Sequence, residues 1–295
     1  MLILKIILLA IVQGLAELLP VSSSAHVIVA EKLMGLDPTT PRMTLLLVML
    51  HTGTMFAVIV YFWKRWRQSY FRTAAEFKSI FIRIALATIL TGAVGYPLKK
   101  IIEKTMMHGA GKAEIEQLFG RLDLIAIALF CAGVLILIAG LARRRSTAGE
   151  HALAEDTDLT LGQTSAIGLV QGLCLPFRGF SRSGATISVG ILTGVAREAA
   201  ETFSFALAVV LTPPVVAYEA LRLVKASHAA ATAGQPFDLH GSILLSLMGM
   251  VFSFLGGMLA LRWLSAWLEA GKWYLFGIYC LVASAIIFFL YLRGF

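Results

Sequence analysis

The sequence predicts an all-α polytopic membrane protein: about six transmembrane helices plus two re-entrant helix-loop-helix segments, arranged as an inverted-topology repeat. Three observations predict it. Of 295 residues, 58% are hydrophobic and only 14% are charged, where a soluble domain carries about a quarter charged residues; the mean hydropathy is +0.83. Apolar runs long enough to cross about 30 Å of hydrocarbon recur along the chain. Two further apolar regions share one interruption, with Gln13 and Gln171 standing 158 residues apart. The first reads Val12-Gln13-Gly14-Leu15, then a proline, then Ser22-Ser23-Ser24; the second reads Val170-Gln171-Gly172-Leu173, then a proline, then Ser181-Arg182-Ser183. A hydrophobic helix broken at corresponding places in two halves points to a site buried in the membrane.

Taken in order, residues 1–34 form the first broken region, and each half of it is too short to span. Spans follow at roughly 43–63, 80–98 and 122–142. Residues 146–160, with Glu150, Glu155, Asp156 and Asp158, are a polar acidic linker. Residues 161–197 form the second broken region, followed by spans at roughly 203–224, 241–262 and 273–292. Thr212-Pro213-Pro214 is expected to break or kink the fourth span, because proline removes backbone donors. The first repeat is then 1–145 and the second 161–295, within one integral membrane domain. Three spans per repeat is an odd number, so the second repeat must be inverted. The two loops would enter from opposite faces and meet near the middle, where irregular backbone needs protein or water around it.

The net charge is +8. Its basic residues sit in short runs between apolar segments, which suits topology signals and contacts with membrane lipids and excludes a nucleic-acid partner. Lys64, Arg65, Arg67, Arg72 and Lys78 follow the first span, Arg143, Arg144 and Arg145 the third, and Arg262 and Lys272 the fifth. The positive-inside rule makes that side cytoplasmic and both termini periplasmic. Lys99, Lys100, Lys104 and Lys112 fall on the other side, partly offset by Glu103, Glu114 and Glu116; residues 99–118 read as an amphipathic helix on the membrane surface. Trp63, Trp66, Trp263, Trp267, Trp273 and Tyr274, near span ends, read as interfacial anchors. Cys131, Cys174 and Cys280 lie far apart in apolar sequence, as inert thiols do. Lys5, an apolar run and Ser23-Ser24-Ala25 also match a secretory signal, but the same pattern recurs near Gln171, where no signal peptidase acts.

Glu17 lies four residues after Gln13, on the same helix face. A carboxylate within a membrane helix is functional by default, unless it sits at the interface and is solvated. In Pro20-Val21-Ser22-Ser23-Ser24-Ala25-His26, hydroxyls open a new half-helix whose free N–H groups offer an anion site. The bland alternative makes the serines helix caps. His26 lies within a turn of Ser22 and Ser23, near enough for proton transfer. The second loop runs Arg178-Gly179-Phe180-Ser181-Arg182-Ser183-Gly184-Ala185-Thr186. Guanidinium forks suit phosphate oxygens, and glycines allow close backbone approach. An internal Arg182–Glu17 ion pair without ligand is the alternative. His51 and Thr54 are weaker candidates; a lone histidine there reads as a hydrogen-bonded packing residue.

These residues resemble the undecaprenyl-diphosphate phosphatase family, also called the bacitracin-resistance family. Its first motif, Glu or Gln followed four residues later by Glu and then Pro-Val-Ser-Ser up to a His, is matched from Gln13 and Glu17 through Pro20-Val21-Ser22-Ser23 to His26. Its second, Pro-Gly-x-Ser-Arg-Ser-x-x-Thr, is matched by Gly179-Phe180-Ser181-Arg182-Ser183-Gly184-Ala185-Thr186. There are two departures: Gln13 holds the place of the first acid, and Arg178 replaces the proline before Gly179, with Pro176 two residues earlier.

The resemblance implies hydrolysis of the terminal phosphate of a C55 polyprenyl diphosphate in the bacterial inner membrane. It also implies a divalent cation and a site open toward the periplasm. On that reading Arg182, Ser181, Ser183 and Thr186 hold the diphosphate, with Gln13, Ser22, Ser24, Arg178 and Gly179 around it. Glu17 binds Mg²⁺ or Ca²⁺ or acts as base. Ser23 is the preferred nucleophile, activated by Glu17 or His26; the rival is metal-activated water, with His26 moving the proton. The polyprenyl tail lies between helices against lipid. A transporter or flippase of polyprenyl phosphate lipids is the competing class, since it needs the same cradle. The sequence leaves open whether copies form a homo-oligomer.

Overall fold

The computed structural model describes residues 2–37, 40–106, 121–146, 159–232 and 239–294. Among the described residues all regular structure is helical, in ten helices. Six are long: α3 (Pro41–Ser69), α4 (Ala74–Met106), α5 (Leu122–Ser146), α8 (Arg197–Thr232), α9 (Leu239–Glu269) and α10 (Trp273–Leu292). Each contains a stretch long and apolar enough to cross a membrane, so the chain is a multi-pass membrane protein. The six coincide with the apolar runs of the sequence.

α8 runs as one continuous helix through Pro213 and Pro214, so the missing donors do not break the span; both prolines lie on the exposed side of the helix. The expected linker at 146–160 and surface helix at 99–118 fall largely on residues 107–120 and 147–158, outside the described residues; α4 itself extends to Met106.

The four short helices make the two interrupted regions. α1 (Leu2–Leu18) and α2 (Ser23–Met34) have 17 and 12 residues; α6 (Leu161–Cys174) and α7 (Arg182–Leu192) have 14 and 11. At 1.5 Å per residue each is roughly 17–26 Å long, short of about 30 Å of hydrocarbon. In the first loop Pro20 offers no backbone donor, and Ser22 adopts φ 67°, ψ 96° while its hydroxyl accepts from the Ala25 N–H to open α2. In the second, Gly179 has φ 104°, and the Ser181 hydroxyl accepts from the Gly184 N–H to open α7. α6 begins with a reciprocal cap between Thr160 and Gln163.

α1 pairs with α2 and α6 with α7, but each hairpin takes its seat in the other half: α1 lies along α9, and α6 along α4. The two matching glycines permit this. A Cβ on Gly14 would stand 2.5 Å from the Ser253 carbonyl oxygen, and one on Gly172 2.7 Å from that of Thr91. Small residues bring membrane helices this close. α3 against α8, α5 against α10 and α5 against α7 add to the contact between halves. This reciprocal exchange is compatible with the inverted repeat expected from the sequence.

A polar tie, buried at Glu201 and Ser265, joins α3, α8 and α9 near the Lys64–Arg67 run. Arg65 pairs with Glu198 at 2.8 Å, the Ser265 hydroxyl donates to Glu201 at 2.6 Å, and Tyr61 donates to Ser265 at 3.0 Å. Trp66 and Trp273, expected as surface anchors, are buried instead. Their indole N–H groups reach the Thr202 carbonyl and the Ser188 hydroxyl, which draws both rings inward. Trp63 and Trp263 are half-exposed, as anchors should be.

Candidate active site

The tips of the two hairpins meet. The last turn of α1 presents Glu17; the cap of α2 presents Ser22, Ser23 and Ser24; the start of α7 presents Arg182 and Ser183. Together with Arg178 and Ser181 they line one cavity of about 150 Å³, whose apolar lining includes Leu175, Phe177 and Phe180.

Glu17 is its hub. The Ser23 hydroxyl donates to Oε2 at 2.6 Å, and Gln13 Nε2 donates to the same oxygen at 3.1 Å from one turn earlier on α1. Arg182 Nη2, from the other half, donates to Oε1 at 3.3 Å. His51 Nε2 on α3 stands 3.7 Å from Oε2, a contact that is ionic only when the ring is protonated. The Arg182–Glu17 pair considered from the sequence is therefore present. It engages one guanidinium nitrogen, and the Arg182 side chain keeps 26% of its surface exposed at the cavity, so its fork remains available to an anion.

The hairpins are also tied directly. The Gly179 N–H donates to the Ser24 hydroxyl at 3.2 Å, and the Ser183 hydroxyl donates to the Leu19 carbonyl at 3.4 Å. Gly179 must be glycine twice over: φ is 104°, and a Cβ would lie 2.4 Å from the Ile125 carbonyl oxygen of α5.

Three of the residues singled out in the sequence stand differently. Gln13 is buried behind Glu17 and orients it without lining the cavity. Thr186 is fully buried on the back of α7, where its hydroxyl pairs with Ser204 at 2.6 Å and donates to the Arg182 carbonyl at 2.8 Å. His26 has Nδ1 2.8 Å from the Ser22 carbonyl and Nε2 2.7 Å from the Tyr279 hydroxyl of α10; the group beside Ser23 is Glu17. His51, read as a packing histidine, does bond the Leu47 carbonyl through Nδ1, yet its other nitrogen faces the site. Thr54 folds back onto the His51 carbonyl of its own helix. Tyr279 was not singled out, because an aromatic in the apolar α10 carries no signal that separates it from its lipid-facing neighbours. The repeat also hid a difference: Gln171, the counterpart of Gln13, donates to Thr91 on α4.

A hard, oxygen-preferring cation suits this donor set only in part. Among the described residues no three of His, Cys, Asp and Glu gather as a metal cage. One carboxylate with neighbouring hydroxyls fits an ion shared with substrate phosphates.

Fold and site together define a polytopic helical membrane protein whose two halves each contribute a broken helical hairpin to one acid–serine–arginine centre. The chain belongs to the family described as bacitracin resistance protein BacA, whose model matches residues 6–286. Undecaprenyl-diphosphatase 2 of Acinetobacter baylyi is 55% identical over 285 residues, 96% of this chain and 96% of that relative. Undecaprenyl-diphosphatase 2 of Burkholderia ambifaria is 32% identical, covering 97% of this chain and 95% of its own length. Undecaprenyl-diphosphatase of Thermus thermophilus is 29% identical, covering 97% of each.

Proposed function

We propose that this chain hydrolyses undecaprenyl diphosphate to undecaprenyl phosphate and inorganic phosphate. It thereby recycles the lipid carrier of peptidoglycan synthesis and confers bacitracin resistance. The observation that carries the reading is the Ser23–Glu17–Arg182 contact chain, assembled from opposite halves inside one cavity. Phosphoryl transfer asks a protein chiefly for positioning and charge neutralisation, and this cavity offers both.

Ser23 is the nucleophile in this reading. Glu17 takes its proton across the 2.6 Å contact as Oγ attacks the terminal phosphorus and the bond to the bridging oxygen breaks. The departing polyprenyl monophosphate takes that proton. Glu17, a carboxylate again, then accepts a proton from the water that cleaves the phosphoserine, and the proton returns to Ser23. Arg182 leaves Glu17 to grip the phosphate oxygens, with Arg178 and the Ser181 and Ser183 hydroxyls beside it. Glu17 and the Ser23 hydroxyl are the residues that would hold Mg²⁺ or Ca²⁺, which supplies further neutralisation of diphosphate charge.

The site opens to the periplasmic side of the inner membrane. His51 lies in the first half of α3, and Gly179 sits against Ile125 in the first turns of α5; the basic runs 64–67 and 143–145 are at the far ends of those helices. Purified protein in detergent, given a long-chain polyprenyl diphosphate, is expected to release inorganic phosphate. Lipid translocation in vesicles without phosphate release in detergent would overturn the hydrolase reading in favour of a flippase.

A further inference from the structure

A line of contacts runs from the outer face of α10 to the nucleophile. Tyr279 is half-exposed on α10, among Ile278, Val282 and Ile286, which are exposed as well. Its ring stacks on His26 with centroids 5.7 Å apart and planes 15° from parallel. Its hydroxyl is 2.7 Å from His26 Nε2. The other nitrogen, Nδ1, is 2.8 Å from the Ser22 carbonyl oxygen. A carbonyl can only accept, so Nδ1 carries the proton; in the neutral ring Nε2 is then the acceptor, and the Tyr279 O–H donates to it.

The far end of this line is a strained peptide. Ser22 holds φ 67°, ψ 96°, the one non-glycine residue with positive φ among the described residues. Such a backbone costs on the order of 1–3 kcal/mol and persists only where its surroundings over-determine it. The His26 ring supplies that restraint by holding the Ser22 carbonyl. The next residue is Ser23, whose hydroxyl meets Glu17 at 2.6 Å. α10 grips the same turn a second time, through Cys280 Sγ and the Pro20 carbonyl at 3.3 Å.

We infer that Tyr279 is a positioning residue for the reaction: it locks the His26 ring in the Nδ1–H form, which braces the Ser22 turn and aims the Ser23 hydroxyl at Glu17. His26 in this arrangement holds backbone, and its Nε2 is occupied by the Tyr279 hydroxyl. The inference rests on the hydrolase reading and on Ser23 as the reacting group.

The test is Tyr279→Phe, which keeps the stacked ring and removes only the hydroxyl. It is expected to lower kcat about ten- to a hundredfold, the scale of a small misplacement at the reacting centre, with KM within about twofold and an unchanged thermal midpoint. In a His26→Ala background the same substitution is expected to do nothing further, because the residue through which it acts is gone. Nitrogen NMR of labelled His26 in the intact protein reads the lock directly: Nδ1 protonated, Nε2 a hydrogen-bonded acceptor, and Nε2 losing that bond in Tyr279→Phe. Wild-type kcat in Tyr279→Phe, an equal loss in both backgrounds, or an Nε2–H tautomer in the wild type would each overturn the inference. Failure of the wild type to release phosphate would instead strike the hydrolase reading, and the NMR measurement would still decide whether the lock exists.

Discussion

Glu17 and Arg182 belong to different halves of the chain, yet Arg182 Nη2 donates to Glu17 Oε1 at 3.3 Å across the tips of the two hairpins. Each partner makes the other tolerable inside a membrane, where an isolated charge at the centre of a helix costs about 2.5–3.5 kcal/mol on insertion scales. On the proposed mechanism a diphosphate would compete for the same guanidinium, and Glu17 released from it would accept the Ser23 proton.

Arg182→Ala and Glu17→Ala are each expected to lower kcat/KM by about a thousandfold or more, roughly 4 kcal/mol of transition-state stabilisation. Arg182→Lys keeps the charge and loses the fork, so its activity should fall between wild type and Arg182→Ala. Steady-state phosphate release measures all three; near-normal turnover by the alanine variants would remove both residues from the site.

Ser23→Ala is expected to cost at least about a hundredfold in kcat while substrate still binds. Rapid acid quench of the wild type with labelled polyprenyl diphosphate should trap phosphate on Ser23. Turnover by Ser23→Ala at the wild-type rate, with no trapped intermediate, would transfer the attack to water.

Chelation is expected to abolish phosphate release, and Mg²⁺ or Ca²⁺ to restore it. Because Glu17 offers a single carboxylate, the cation should bind weakly without substrate and far more tightly with a diphosphate analogue. Calorimetry with and without the analogue distinguishes this from a preformed metal site, whose affinity the analogue would not change.

The glycine seats predict a stability effect apart from chemistry. Gly172→Leu must push α6 off α4, where even a Cβ would lie 2.7 Å from the Thr91 carbonyl oxygen; Gly14→Leu does the same between α1 and α9. Overpacking of this kind costs about 1–3 kcal/mol, read as a lower thermal midpoint in detergent. A midpoint unchanged in both variants would contradict the close packing.

Much of this was legible in the sequence because the signals were local and periodic. Six apolar runs gave six helices, since hydrocarbon thickness sets their length. The convergence of Glu17, Ser23 and Arg182 was legible from two like interruptions in a chain whose halves must share one membrane. The rest depended on which way a side chain turned. Thr186 falls in the serine–arginine motif, but its hydroxyl pairs with Ser204 on the buried back of α7. Trp66 and Trp273 lie near span ends, where proximity suggests an anchor and burial makes them core. Pro213 and Pro214 lack two backbone donors, yet α8 continues through them. The Tyr279–His26 stack joins residues from the two ends of the chain, beyond the reach of any short motif.

The reciprocal seating of the hairpins has a consequence for how the chain is made. Gly14 takes its seat on the Ser253–Gly257 stretch of α9, which is synthesised on the order of tens of seconds after it at ordinary translation rates. Glu17 meanwhile waits for Arg182. The α1–α2 hairpin is thus completed only after the second half has been made, and its carboxylate goes without the Arg182 partner throughout the interval.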